Sequence, residues 1–215
     1  DYPEHFFDER IWTTRRIRPS LDELDAAADV LAKAKKPLII AGGGVLFSQA
    51  TDALKQFAEK HGIPVCETQA GKSSLPHDHP LNMGSIGVTG TSAANELARE
   101  ADVILAIGTR LQDFTTGSWT AFSKDAQFIS INAARFDALK HRSIPVVGDA
   151  LETILELDAA LGDWKAPAGH LPHAKALFAE LDALLDDHQN PTNALIPTYA
   201  QVVNVVNKAA GENDT

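Results

Sequence analysis

Residues 37–44, P-L-I-I-A-G-G-G, decide the fold. Four apolar residues run into three consecutive glycines. Such a run reads as a short buried strand followed by a turn with little room for side chains. In residues 46–61, Leu46, Ala50, Ala53, Leu54, Phe57 and Ala58 fall near spacings of three and four, which predicts a helix. Strand, glycine turn and helix open a βαβ unit. A helix amino terminus placed there aims bare N–H groups at the turn, a position suited to an anion. A tight turn without a ligand fits the same residues, because a glycine-rich turn alone is unspecific.

Working outward from this unit, the same alternation continues. Gly62 is placed to end the helix, and residues 63–68 read as the second strand. Residues 69–90 are too polar and too rich in Gly and Pro for one element, with a short strand near 83–86. Thr91 or Ser92 is positioned to cap a helix reaching about Glu100. Residues 101–108, A-D-V-I-L-A-I-G, form the clearest buried strand; 127–132 and 144–148 are two more. Asp149 is placed to cap a helix over 150–161. Upstream, Ser20 and Glu23 have capping-box spacing before a helix over 21–35, with Leu24, Ala27, Ala28 and Leu31 inward. Lys33, Lys35 and Lys36 then fall in its last turn, where the dipole favours cations, and Pro37 blocks continuation.

Residues 1–19 have no period. They carry Phe6, Phe7, Ile11 and Trp12, then Arg15, Arg16 and Arg18, and read as a linker packed on a surface. Residues 162–172 and 190–197 read as linkers. Residues 174–188 predict an amphipathic helix with Leu177, Leu181, Leu184 and Leu185 on one side. Another helix covers 199–209, and 211–215 read as a frayed end. Nearly all-apolar strands alternating with helices imply a parallel sheet covered on both faces. The expected fold is α/β: a Rossmann-like, doubly wound parallel sheet of five to six strands with a helical C-terminal linker. Its core should hold Ile39, Ile40, Val65, Val103, Leu105, Ile107, Ile129, Ile131 and Val146.

Composition narrows function. The formal charge of −10 over 215 residues disfavours a nucleic-acid surface and anionic membranes. The single cysteine, Cys66, excludes an internal disulfide framework and a multi-cysteine zinc site, and points to a reducing, cytoplasmic compartment. No run approaches the roughly 20 apolar residues of a membrane span. The chain opens without an initiator Met or a visible signal peptide, which reads as a segment of something longer.

In an open parallel sheet, ligands bind beyond the carboxyl ends of the strands. Those ends carry Gly42, Gly43, Gly44, Thr68, Arg110, Asp113, Asn132 and Asp149. The glycine turn departs from G-x-G-x-x-G, since Phe47 stands at the third glycine position, which disfavours NAD. Glu67 ends the second strand where a ribose-binding carboxylate would stand. Arg110 and Asp113 read either as site residues or as a surface ion pair. His77-Asp78-His79 reads as a solvated loop rather than a metal site. Cys66 reads as an inert core thiol. Trp119 reads as either a packing anchor or a pocket wall. No nucleophile arrangement and no metal site is legible, so no catalytic residue is assigned.

The ordered strings A-G-G-G-V, G-T-S-A-A-N-E-L-A, A-D-V-I-L-A-I-G-T-R-L-Q-D-F-T-T-G and I-P-V-V-G-D-A resemble the central domain of thiamine-diphosphate enzymes, a group that includes acetohydroxyacid synthase and pyruvate oxidase. The strings E-T-Q-A-G-K-S, D-H-P-L-N-M-G-S-I-G-V-T-G-T and L-Q-D-F-T-T-G-S-W are similar to its branch of inositol-catabolic hydrolases, which cleave a carbon–carbon bond in a cyclic 1,2-diketone. The resemblance implies a pyrimidine-binding, a central and a diphosphate-binding domain. Residues 1–19 would then leave the first, 20–162 form the second, 163–197 make a helical linker and 198–215 begin the third. Thiamine diphosphate and magnesium would be held by the other two domains, and the G-D-G motif of the third does not occur in the sequence. The resemblance further implies a homo-oligomer, dimer or tetramer, with no nucleic acid or membrane partner, and no catalysis by this segment alone.

Relatives that bind FAD hold it along the strand ends matched here by Gly42, Gly43, Gly44, Thr68, Arg110, Asp113, Asn132 and Asp149. Others keep the fold without the nucleotide. The expectation is one weakly occupied or empty groove, with Glu67 and Asp113 opposing a diphosphate unless Arg110 offsets them. Loops 69–74 and 112–119 would help cover the thiamine site of a neighbouring domain. Two further readings compete: a free FAD- or ADP-binding module like that of electron-transfer flavoproteins, and a structural spacer. A sirtuin-type deacylase needs a four-cysteine zinc ribbon, which one cysteine excludes.

Overall fold

Pro37–Ala41 is strand β1, and all five residues are buried. It lies inside a six-stranded parallel sheet in a computed structural model that describes residues 1–190 and 195–211. The other strands are β2 (Val65–Glu67), β3 (Asn82–Ser85), β4 (Val103–Ile107), β5 (Gln127–Asn132) and β6 (Ile144–Val147). Their order is β3-β2-β1-β4-β5-β6. The chain works outward from β1 to one edge, then returns to place β4 on the other side of β1. This reversal opens a crevice beyond the ends of β1 and β4.

Helices cover both faces, and two short ones, α5 (Asp113–Thr116) and α6 (Arg135–Ala138), follow β4 and β5. Alternate strand residues point to opposite sides. Ile39, Ala41, Leu105, Ile107, Ile129 and Ile131 therefore meet α1 (Leu21–Leu31), α3 (Thr51–His61) and α7 (Ala150–Leu161). Leu38, Ile40, Cys66, Ile104, Ala106 and Phe128 meet α4 (Ser92–Glu100) and α8 (His170–Gln189). Each fully buried Leu or Ile contributes about 1.5–3 kcal/mol of transfer free energy. All nine expected core residues are buried. Thr91 caps α4 and Asp149 caps α7 through their side-chain oxygens, and Gly62 ends α3 at φ 68°. The last described helix, α9 (Tyr199–Ala209), matches its expected span.

Several local expectations fail for tertiary reasons. The helix expected over 46–61 is two, α2 (Gly43–Phe47) and α3, because the chain breaks at Ser48–Ala50 with Gln49 at φ 55°. The break delivers Ser48 to α7, where its Oγ accepts from the Leu151 N–H at 3.2 Å. Helix α1 stops at Leu31 rather than Lys35. The Lys35 and Lys36 N–H groups donate instead to the Asp102 carboxylate, at 2.7 and 2.8 Å. The capping box is half-formed. Ser20 accepts from the Glu23 N–H, but Glu23 accepts from the Val147 N–H of β6 at 2.9 Å and so closes an exposed sheet edge.

Helix α8 starts four residues early, and of its leucine stripe only Leu181 is buried while Leu184 and Leu185 are exposed. Residues 16–19 are strapped to the domain. Arg16 Nη1 donates to Ser48 O at 2.7 Å and Asp149 Oδ1 at 2.8 Å, and Ile17 O accepts from the Asp149 N–H at 2.7 Å. Upstream, however, Tyr2, Phe6 and Phe7 contact one another and stay exposed, as do Ile11 and Trp12. They do not pack on the domain surface. The expected linker at 190–197 lies partly, and the frayed end at 211–215 mostly, outside the described residues.

Candidate functional site

The crevice at the switch point is a groove of about 470 Å³. Its floor is the glycine turn after β1 pressed against the turn after β4. The Gly42 N–H donates to Ile107 O at 2.8 Å, the Gly44 N–H to Gly108 O at 3.0 Å, and the Val45 N–H to Gly42 O at 3.0 Å. A Cβ on Gly44 would stand 2.6 Å from Gly108 Cα, and one on Gly42 would stand 2.4 Å from Gly108 O. Gly108 itself has φ 61°. The glycines are therefore needed for close backbone approach, and these three N–H groups are already paired. The expectation of bare N–H groups aimed at an anion fails at these positions.

The other strand ends supply the walls. Thr68 is buried, and its Oγ1 accepts from the Gly71 N–H at 3.1 Å, capping the 3-10 turn Gln69–Gly71. Asn132 Nδ2 donates to Thr109 O at 3.2 Å, while its Oδ1 accepts from the Ala134 N–H at 2.9 Å. Both side chains shape loops more than they present free polar groups. The rims differ: Phe47 and Phe114 are exposed apolar walls, and Lys72 and Arg110 are exposed cations with no ion pair among the described residues. The acid lining the groove, Asp137, pairs with Lys140 at 2.6 Å.

Of the residues expected here, Gly43, Gly44, Thr68, Arg110 and Asn132 line the groove. Gly42 lies behind its floor, against Gly108. Asp113 is exposed at the start of α5 (Asp113–Thr116) but is not part of the lining, and it forms no ion pair with Arg110 among the described residues. Asp149 is elsewhere, capping α7 and paired with Arg16. Burial alone would raise its carboxyl, but hydrogen bonds from Ser48, Arg16 and the Glu152 backbone hold it below the usual carboxylate value. Glu67 is buried, and its Oε1 accepts from the Leu75 N–H at 3.0 Å. The expected carboxylate opposition from Glu67 and Asp113 is thus missing from the groove.

Lys72 and Phe114 come from the loops expected at the groove, 69–74 and 112–119, but the sequence singles out neither of them, nor Phe47, as lining it. A lysine following the glycine of the turn after β2 was the one available signal.

Outside the groove, Cys66 is fully buried, and burial, with the Glu67 charge adding, pushes its thiol far up. His79 Nε2 lies 3.0 Å from Glu59 Oε1, and its Nδ1 accepts from the Leu81 N–H. No group of three His, Cys, Asp or Glu able to hold a metal occurs among the described residues. No described helix is long and apolar enough to cross a membrane. Magnesium on a diphosphate takes one or two carboxylates beside the phosphates; the acid lining the groove, Asp137, is paired with Lys140, so the groove residues do not fit that ion.

Residues 24–157, from α1 through most of α7, match the description "Thiamine pyrophosphate enzyme, central domain". The chain belongs to the central-domain family of thiamine pyrophosphate enzymes. The match takes in all six strands and the groove. Among the relatives of this central domain, 3D-(3,5/4)-trihydroxycyclohexane-1,2-dione hydrolase of Geobacillus thermodenitrificans is 45% identical over 170 residues, 79% of this chain and 26% of that protein. The proteins of the same name in Clostridium perfringens (strain ATCC 13124) and Clostridium tetani are 46% and 47% identical over 162 and 158 residues. They are covered over 25% and 24% of their length, so the chain spans about a quarter of the relatives it matches.

Proposed function

We propose that this chain is the central domain of a thiamine-diphosphate-dependent hydrolase that cleaves a carbon–carbon bond of a cyclic 1,2-dione in inositol catabolism. The observation that carries this is 45–47% identity, over 158–170 residues, to three hydrolases of that name. Residues 20–162 are the central domain, 1–19 and 163–197 its linkers, and 198–215 the start of a diphosphate-binding domain. The exposed aromatics of residues 2–12 and the exposed valines of α9 support the outer bounds of that division, while Arg16 and the packing of α8 on α4 dock both linkers on the domain. The domain contributes scaffold and assembly surface, in a cytoplasmic homo-oligomer whose thiamine diphosphate and magnesium are bound by its other domains.

The chemistry the cofactor supplies is an electron sink at a carbonyl carbon. This chain's residues do not reach that chemistry. They fix the distance and orientation of the flanking domains, and the loops at 69–74 and 112–115 bring Lys72, Gln112 and Phe114 to one rim.

The test is a chimera in which this chain's residues 20–162 replace the matching segment of the Clostridium tetani hydrolase. Ring-opening should survive. The 215-residue chain with thiamine diphosphate and magnesium should show none; turnover by it alone would overturn the domain assignment.

A second reading is a nucleotide site. Lys72 and Arg110 beside two open phenyl rings favour it, while the paired N–H groups of the glycine turn oppose it. Calorimetric titration with FAD and ADP separates the two. Binding tighter than about 1 μM, roughly 8 kcal/mol, would establish the second reading and displace the empty groove.

A further inference from the structure

A second cavity, of about 640 Å³, lies apart from the groove, between the β4–β5 connection and the turn before β6. Its wall is aromatic. The Trp119 ring sits 5.7 Å from Phe122, 5.4 Å from Phe128 and 4.1 Å from His141, centroid to centroid. Phe122 and Phe128 are buried beneath it, while Trp119 keeps 37% of its surface exposed. Its rim is cationic. Lys124 and Arg142 line the cavity, both are exposed, and neither makes an ion pair among the described residues. No carboxylate lines it, and the two adjacent in sequence to its lining, Asp29 and Asp125, are exposed. An unopposed cationic rim is unexpected in a chain of formal charge −10.

The backbone adds an independent observation. On one wall Trp119 has φ 65° and follows Ser118 at φ 54°, and on the other His141 and Arg142 have φ 61° and 56°. Non-glycine residues rarely adopt this region, and two adjacent pairs facing one another are rarer. Such conformations persist only where the surroundings hold them, and they gather at ligand sites. Here they set the indole and the guanidinium on the same cavity.

We propose that this cavity binds a small planar ring bearing a phosphate or carboxylate, with the ring against Trp119 and the anion on Arg142 and Lys124. An aromatic surface rewards a flat ring, and guanidinium geometry suits a two-oxygen anion. Neither half alone uses both features. The site is independent of the groove and of the reading proposed for it.

The test is calorimetric titration of the 215-residue chain with phenyl phosphate, inorganic phosphate and phenol. Phenyl phosphate should saturate with a Kd below about 1 mM, and each half should bind at least about tenfold more weakly. Arg142→Gly relieves the positive φ, so it should raise Tm while weakening phenyl phosphate about tenfold. Lys124→Gln should weaken it without the rise in Tm, and Lys72→Gln, in the groove, should leave it unchanged. The proposal falls if phenyl phosphate does not saturate by about 10 mM, if inorganic phosphate binds as well, or if Arg142→Gly binds normally. It also falls if Lys72→Gln is the variant that loses binding, or if light scattering shows self-association that hides Trp119 from an added quencher.

Discussion

Replacing Gly44 with alanine pits helix propensity against tertiary packing, and the two disagree in sign. Gly44 is inside α2, where Gly→Ala should gain up to about 1 kcal/mol. The new Cβ, however, would lie 2.6 Å from Gly108 Cα, 3.0 Å from its O and 3.2 Å from its carbonyl carbon. Ordinary contact begins near 3.4 Å, and all three atoms are backbone, with no rotamer to move. The segment cannot slide, because Ala41 is paired with Ile107 in the β1–β4 register and Gly42 with Ile107 O. Overpacking of this kind costs about 1–3 kcal/mol, and prising the turns apart also loses the Gly44–Gly108 hydrogen bond, about 1 kcal/mol.

The expected net is a loss of about 1–3 kcal/mol, roughly a 1 M fall in the urea midpoint read by circular dichroism. Gly108→Ala should be worse, since it meets the same clash at φ 61°. Gly62→Ala is the control: it has φ 68° and nothing within 4 Å, so only the strain of about 1–2 kcal/mol applies. A Gly44→Ala midpoint equal to or above that of the parent would refute the reasoning.

Three further outcomes follow from the packing. Leu105→Ala, at a fully buried site on β4, should cost about 2–5 kcal/mol in the same assay; a loss under about 0.5 kcal/mol would contradict its central place. His170 Nε2 donates to Pro37 O at 2.8 Å while its buried Nδ1 has no partner, and burial holds the ring's pKa below 6.5. The unfolded chain therefore takes up this proton first as pH drops, so stability should be full above pH 6.5 and fall below it. His170→Gln, which keeps a donor, should flatten that slope in urea midpoints measured between pH 7 and 5. Asp149→Ala removes the α7 cap, about 1–2 kcal/mol, and the ion-pair partner of Arg16; trypsin should cut after Arg15 and Arg16 faster, and an unchanged rate would show that the strap does not depend on it.

Strands β1 and β4 were legible because each is an unbroken apolar run, buried on both faces as a central strand of a parallel sheet must be, whereas β3, N-M-G-S, carries no such run. Caps such as Thr91 and Asp149 were legible because their hydrogen bonds reach only two or three residues along the chain. The break at Ser48–Ala50 was not, since apolar spacing runs straight through it while its cause, the docking of Ser48 on α7, is about a hundred residues away. Glu23 read as a capping residue because a local partner was at the right spacing; β6 offered it an unpaired edge N–H instead. Glu67 read as a groove carboxylate from its place at a strand end, yet its side chain turns to the Leu75 N–H in the following loop.

Sequence alone determined the alternation of elements, the two-sided burial of the sheet and the strand-end location of the groove, because these depend on periodicity and on residues close along the chain. Only the tertiary structure decided that the three glycines serve backbone contact with Gly108, that Asp149 belongs to the α7 strap, and that Trp119 meets His141. Each of these joins atoms far apart in sequence, and their partners are fixed by the strand order β3-β2-β1-β4-β5-β6, which no local pattern encodes.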